Sequence, residues 1–205
     1  MQEINNYPLK DCETNQDIAE CRFTLSVMSD DYITMILNAI GNVDTENIRS
    51  NTDALSTVYC GKRIHVVDAV KACFVHVNDG KTHITMEAAF SKGGSGDTDE
   101  NIHLIKDVEL LNSTNKAFQV LSKISFYPLG ITTYMNHITY VVNLAISKGL
   151  YKKSSHYTTE LAGDVNEIFD YFNEILDYAE RHLKHYVLQT TLSINSPTKN
   201  KEESS

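Results

Sequence analysis

The sequence contains no apolar run approaching the roughly 18 residues that a helical membrane span requires, so a membrane-embedded helix is not expected. Its first residues, MQEINNYPLKDCETNQD, lack the basic start and apolar stretch of an export signal. No CxxC pair occurs among Cys12, Cys21, Cys60 and Cys73, and three of them lie beside or inside apolar segments, as small buried side chains do. Free thiols fit a reducing compartment, and the expected location is cytoplasmic. A stripe of Lys and Arg is also missing. With 18 basic residues against 27 acidic ones and a net charge of −9, no nucleic-acid partner is expected, because phosphate binding needs clustered cations. That sign of charge is compatible with a cationic small molecule, although solubility alone accounts for it in many proteins.

What the sequence does contain is itself, twice. Residues 32–91 match residues 134–193 without a gap, at a constant shift of 102. Identical pairs include Tyr32/Tyr134, Thr57/Thr159, Gly61/Gly163, Asp68/Asp170 and His83/His185, and apolar positions such as Val67/Phe169 keep their character. Unrelated segments rarely keep helix faces and strand alternation in phase over such a length. The reading is a first repeat over residues 21–92, a linker over 93–117 and a second repeat over 118–195. Residues 1–20 read as a loose leader, and 195–205 as a polar tail.

Phe23, Leu25 and Val27 alternate with polar neighbours, the period of a strand with two unlike faces. A helix is expected from about Asp30, with Ile33, Ile36, Leu37 and Ile40 on one face and Ser29 or Asp30 as its cap. A short extended piece around Ile48 follows, then a strand from about Asp53 to Cys60 that Gly61 ends. A second helix carries Val67, Val70, Phe74 and Val77, and a last strand carries Ile84, Met86, Ala88 and Phe90. The second repeat keeps this order, with Asp164 and Glu167 spaced as a capping pair. Two helices on one face of a four-stranded antiparallel sheet suit the order, which predicts an α+β fold of two tandem ferredoxin-like βαββαβ repeats. The first and third strands should be central neighbours, bringing Leu25 toward Thr57 and Phe126 toward Thr159. The face without helices should be apolar and covered by a sheet, ligand or second subunit.

Motifs of chemistry are few. Gly93-Gly94-Ser95-Gly96-Asp97 fails the nucleophile-elbow, dinucleotide and phosphate-loop templates and reads as linker. His182 and His185 lie close but straddle a helix-to-strand boundary, and nothing completes a ligand spacing, so no metal is expected. Tyr32, Tyr134, Tyr157 and Tyr171 could form an aromatic box, but tyrosines at helical spacing more often pack in a core. Tyr157 stays a candidate because it lies two residues from Thr159, on the same strand face. Asp53 and Glu160 are the nearest carboxylates and are not equivalent under the shift, which argues against a shared acid–base mechanism.

The strand RFTLSVM, the helix start SDDYI, the segments TDALSTV and SHYTTELAGD, and the linker GDT together resemble the YkoF-type family, from about residue 21 to Pro197. The resemblance implies an ACT-like tandem repeat that forms a homodimer. It also implies binding of thiamin and its hydroxymethylpyrimidine moiety, and a functional link to a membrane pyrimidine transporter. Carried over by position, it implicates Leu25 with Thr57 in one half and Phe126 with Thr159 in the other. Two departures stand out. Where the family carries LYPM, this chain has LSVM and FYPL, and where His is usual the first half has Ala54 while the second keeps His156. The two sites should therefore be unequal.

An aminopyrimidine needs an apolar wall and a few fixed polar partners. Leu25 and Phe126 supply walls, Thr57 and Thr159 supply hydroxyls, and Ser26 and Tyr127 are next in line. Asp53, Tyr157 and Glu160 could stabilise a thiazolium cation. The expectation is reversible binding with no catalytic residues and no cofactor, in the service of precursor uptake or salvage. The alternatives are an enzyme using His156 as base with Asp53 or Glu160, and an amino-acid-sensing ACT module.

Overall fold

The computed structural model describes residues 18–92, 108–114 and 116–198. The glycine-rich segment 93–97, Cys12 and most of the expected leader and tail lie outside these residues. The first repeat runs β1 (Ile18–Val27), α1 (Tyr32–Gly41), β2 (Ile48–Thr52), β3 (Thr57–Lys62), α2 (Arg63–Val77) and β4 (Ile84–Lys92). The second runs β5 (Gln119–Leu129), α3 (Tyr134–Ser147), β6 (Tyr151–Ser155), β7 (Thr158–Asp164), α4 (Val165–His182) and β8 (His185–Ile194). This is the α+β, doubled βαββαβ order expected.

The two sheets are one. Strand order is β2-β3-β1-β4-β8-β5-β7-β6, all antiparallel, and β4 joins β8 from Ile84↔Ile194 to Lys92↔Tyr186. Within a single repeat β4 or β8 would be an open edge, with a row of unpaired backbone groups. Pairing the two edges removes both and fuses the repeats.

A continuous core lies between the sheet and the helices. Val66, Val70, Cys73 and Phe74 of α2 and Ile168, Phe169, Phe172 and Ile175 of α4 are buried against Met86, Phe90, Leu188 and Leu192. The helices of the two repeats also touch through Arg63. Its guanidinium donates to Glu180 Oε2 at 2.8 Å, to Asp177 Oδ1 at 3.0 Å and to the Asn173 side chain, tying the start of α2 to the end of α4. Cys21, Cys60 and Cys73 are buried, and burial pushes the Cys73 thiol up to about 12.

Several local expectations change. β1 begins at Ile18, so residues 18–20 are strand rather than leader, with Ile18 and Ala19 buried. α1 starts at Tyr32 with Asp31 as N-cap and no side-chain cap, and Ser29 Oγ instead accepts from Asp31 N at 3.2 Å. β3 begins at Thr57, not Asp53, because Asp53 is spent on the preceding turn. Gly61 does not end β3. It sits inside the strand where a Cβ would lie 3.0 Å from Ile48 Cγ2, so the position admits β2 at close range. The uncovered face is not apolar either. Arg22, Thr24, Glu87, Gln189, Thr191 and Lys123 occupy it, side chains that water can solvate. The Asp164 capping box forms as expected, with Asn166 N donating to Asp164 Oδ1 at 2.8 Å and Asp164 N to Glu167 Oε2 at 3.1 Å.

Candidate ligand-binding site

In the second repeat β5, the β6–β7 hairpin and the inner side of α3 enclose a cleft of about 610 Å³. Alternation along β5 sends Phe126 to the helix side, and Tyr134, Met135 and Ile138 of α3 face it across the gap. These walls are apolar. Thr159 on β7, Ser154 on β6 and His156 in the turn supply the polar edge. Strand pairing sets Ser154 opposite Thr159 and Ile124 on its other side. Thr159 is 7% exposed, and among the described residues its hydroxyl has no protein partner, so its hydrogen-bonding capacity is available to the cleft.

The hairpin that closes the cleft is unusual. His156 has φ 45° and Tyr157 φ 64°, the two left-handed residues of a tight reverse turn normally written Asn-Gly. Holding two side-chain-bearing residues there stores backbone strain. Two side chains strap the turn down: Thr158 Oγ1 donates to Ser155 O at 2.6 Å, and Ser125 Oγ donates to Tyr157 O at 3.1 Å. The Tyr157 ring is left 97% exposed at the cleft mouth.

The first repeat builds the same place differently. Ala54 and Leu55 keep ordinary negative φ, and the Asp53 carboxylate accepts from Leu55 N at 2.7 Å and Ser56 N at 2.9 Å. Those backbone donors hold the Asp53 carboxyl below its ordinary value. Thr57, at the position of Thr159, shares a hydrogen bond with the Thr52 hydroxyl at 3.0 Å. Its capacity is therefore partly used within the protein.

Of the expected site residues, Phe126, Tyr157 and Thr159 line the second-repeat cleft, and Tyr127 borders it while alternation turns its side chain toward the uncovered face. Leu25 and Thr57 share the helix-facing side of the first half, but one step out of register. Thr57 pairs with Phe23, as Thr159 pairs with Ile124. Ser26 alternates to the opposite, uncovered face, away from Leu25. Asp53 lines a depression on that uncovered face with Arg22 and Glu87. Glu160 sits 3.9 Å from both Lys123 and Lys153, which already supply it with cations. The four tyrosines form no box: Tyr171 is buried and donates to Val141 O at 2.9 Å, while Tyr32, Tyr134 and Tyr157 are exposed. Met135, Ile138 and Ser154 were not singled out from sequence, although the helical spacing of Tyr134 and Ile138 carries the signal for the α3 wall. Among the described residues no group of three or more His, Cys, Asp or Glu could hold a metal ion, and no helix is long and apolar enough to cross a membrane.

The comparisons agree with this doubled architecture. The model of the YKOF-related family matches residues 18–97 and again residues 119–199. The chain is 33% identical over 191 residues to YkoF of Bacillus subtilis (strain 168), a protein whose name describes HMP/thiamine binding, covering 92% of this chain and 95% of that one. With one match on each repeat and a relative aligned along nearly its whole length, the chain belongs to the YKOF-related family.

Proposed function

We propose that this protein binds thiamin and its hydroxymethylpyrimidine moiety reversibly, one site per repeat, with the second-repeat cleft as the stronger site. The observation that carries this reading is the Thr159 hydroxyl, unpartnered among the described residues at the polar edge of an otherwise apolar cleft. An aminopyrimidine presents a flat face, an exocyclic amine that donates and ring nitrogens that accept. Phe126 and the α3 side chains suit the face, and Thr159, Ser154 and His156 suit the edge. Tyr157, at the mouth, is placed for the cationic thiazolium that projects outward. In the first repeat, Leu25 and Thr57 offer the same chemistry, but Thr52 competes for the hydroxyl.

The family and the relative's name support binding rather than catalysis. No cofactor is needed for it. A cytoplasmic homodimer that serves uptake or salvage of the pyrimidine, in functional association with a membrane transporter, completes the proposal. Calorimetric titration of the full chain with thiamin and with free hydroxymethylpyrimidine tests it, with mass spectrometry of the recovered ligand. Saturable heat and unchanged ligand are expected. No heat up to the millimolar range refutes binding, and a new product refutes the non-enzymatic reading.

A further inference from the structure

α3 is the one wall of the second-repeat cleft that is not part of the sheet, so its seat sets the width of the gap. Side chains from α4 hold it. Tyr171 OH donates to Val141 O at 2.9 Å near its middle, and Lys148, just past its end, meets Glu174 Oε1 at 2.6 Å. The N-terminal half carries Tyr134, Met135 and Ile138 into the cleft, and its tie is aromatic. Tyr178 of α4 stacks on Tyr140 with ring centroids 3.8 Å apart and planes 13° off parallel. Its hydroxyl lies 2.9 Å from His137 Nδ1, one residue from Ile138 in the cleft wall. His182 also stacks on Tyr178, with ring centroids 4.3 Å apart, and its Nδ1 donates to Tyr178 O at 2.7 Å. Burial, with Tyr140 beside it, raises the Tyr178 phenol above its ordinary value.

Among the described residues, the first repeat has no such column. Under the 102-residue shift, His137, Tyr140, Tyr178 and His182 correspond to Met35, Asn38, His76 and Gly80, and α1 has 10 residues where α3 has 14. A device common to both repeats would be part of the fold. One confined to the second, bonded to the back of its cleft wall, is suited to the site.

We propose that Tyr178 is a positioning residue for the second-repeat site: through His137 and Tyr140 it holds the N-terminal half of α3 at the distance from Phe126 that a single flat heterocycle fills. This rests on the ligand reading above. Offset ring stacking and a hydroxyl–imidazole hydrogen bond are both directional, so together they fix the helix's rotation and its approach.

The test uses the full chain as parent, Tyr178→Phe, Tyr178→Ala and His137→Ala. Amide hydrogen exchange without ligand reads the helix itself, and thiamin calorimetry reads the site. In Tyr178→Ala the amides of residues 134–142 should exchange at least about tenfold faster while those of α1 stay unchanged. Affinity at the stronger thiamin site should fall about fivefold or more, with the weaker site within about twofold. Tyr178→Phe, which keeps the stack and loses the hydrogen bond, should fall between parent and Tyr178→Ala. Unchanged exchange over 134–142, or exchange rising equally in α1, overturns the proposal, and so does local loosening with unaltered thiamin affinity at both sites. If Tyr178→Ala does not fold, Tyr178→Phe and His137→Ala carry the same comparison. A parent that fails to bind thiamin refutes the ligand reading instead, and the exchange measurement still decides whether Tyr178 seats α3.

Discussion

Thr57 and Thr159 stand at the same position on the third strand of their repeats, yet Thr57 is hydrogen-bonded to Thr52 at 3.0 Å while Thr159 faces a cleft with no protein partner among the described residues. One substitution in the facing strand, Thr52 against Ser154, accompanies that difference. The repeats have kept the same hydroxyl and put it to different use.

Thr159→Val should therefore weaken the stronger thiamin site by about 0.5–1.5 kcal/mol, the net value of a neutral hydrogen bond. That corresponds to a roughly two- to twelvefold rise in dissociation constant. Thr57→Val should act only on the weaker site and by less, since the ligand there competes with Thr52. Two-site calorimetry on both variants separates the effects.

The His156–Tyr157 turn should trade stability against binding. Replacing it with Asn-Gly gives the residues this turn geometry prefers and should stabilise the fold by roughly 1 kcal/mol, or about 2–4 °C in Tm. Thiamin affinity should fall, since His156 and the Tyr157 ring are both lost from the cleft. Thermal unfolding and titration of the same sample show whether the two move in opposite directions.

The strand order and helix faces were legible because apolar spacing reports which side of an element is buried. Phe23, Val70, Phe74, Ile84 and Met86 all lie in the core. The Asp164–Glu167 capping pair was equally legible, since the motif is local. The joining of β4 to β8 was not, because pairing between edges leaves no mark in either strand's own pattern. The uncovered face is polar where an apolar one is expected, although the alternation of Arg22, Thr24 and Ser26 with Phe23 and Leu25 already spells this out. In the site, Thr159 and Phe126 follow from position in the repeat, but the left-handed turn at His156 and the Asp53 turn do not. Backbone handedness there depends on packing between strands that no short motif encodes.

Arg63→Ala should destabilise the fold by about 1–3 kcal/mol, because it leaves Glu180 largely buried without its cation. Burial already raises the Glu180 carboxyl above its ordinary value, and Arg63 opposes that rise. Removing Arg63 lifts it further. A raised folded-state value favours the protonated form, so stability from this group falls as pH climbs from the unfolded value through the folded one. The deficit of Arg63→Ala should accordingly be larger at pH 7 than at pH 4, and denaturant melts at the two values measure it.

Gly163→Ala should cost about 1–3 kcal/mol, because the added methyl collides with Leu150 Cδ2 and comes 3.3 Å from Glu167 Oε2 of the capping box. Gly61→Ala meets Ile48 Cγ2 at 3.0 Å and the Asn47 backbone oxygen at 3.2 Å, and should destabilise as well. Chemical denaturation of the two variants ranks them.

A crystal structure of the full chain with thiamin bound tests the central claim most directly. The pyrimidine ring should lie between Phe126 and α3, with a hydrogen bond to the Thr159 hydroxyl and the thiazolium toward Tyr157. Thiamin on the uncovered sheet face beside Gln189, or in the first repeat alone, would contradict the account.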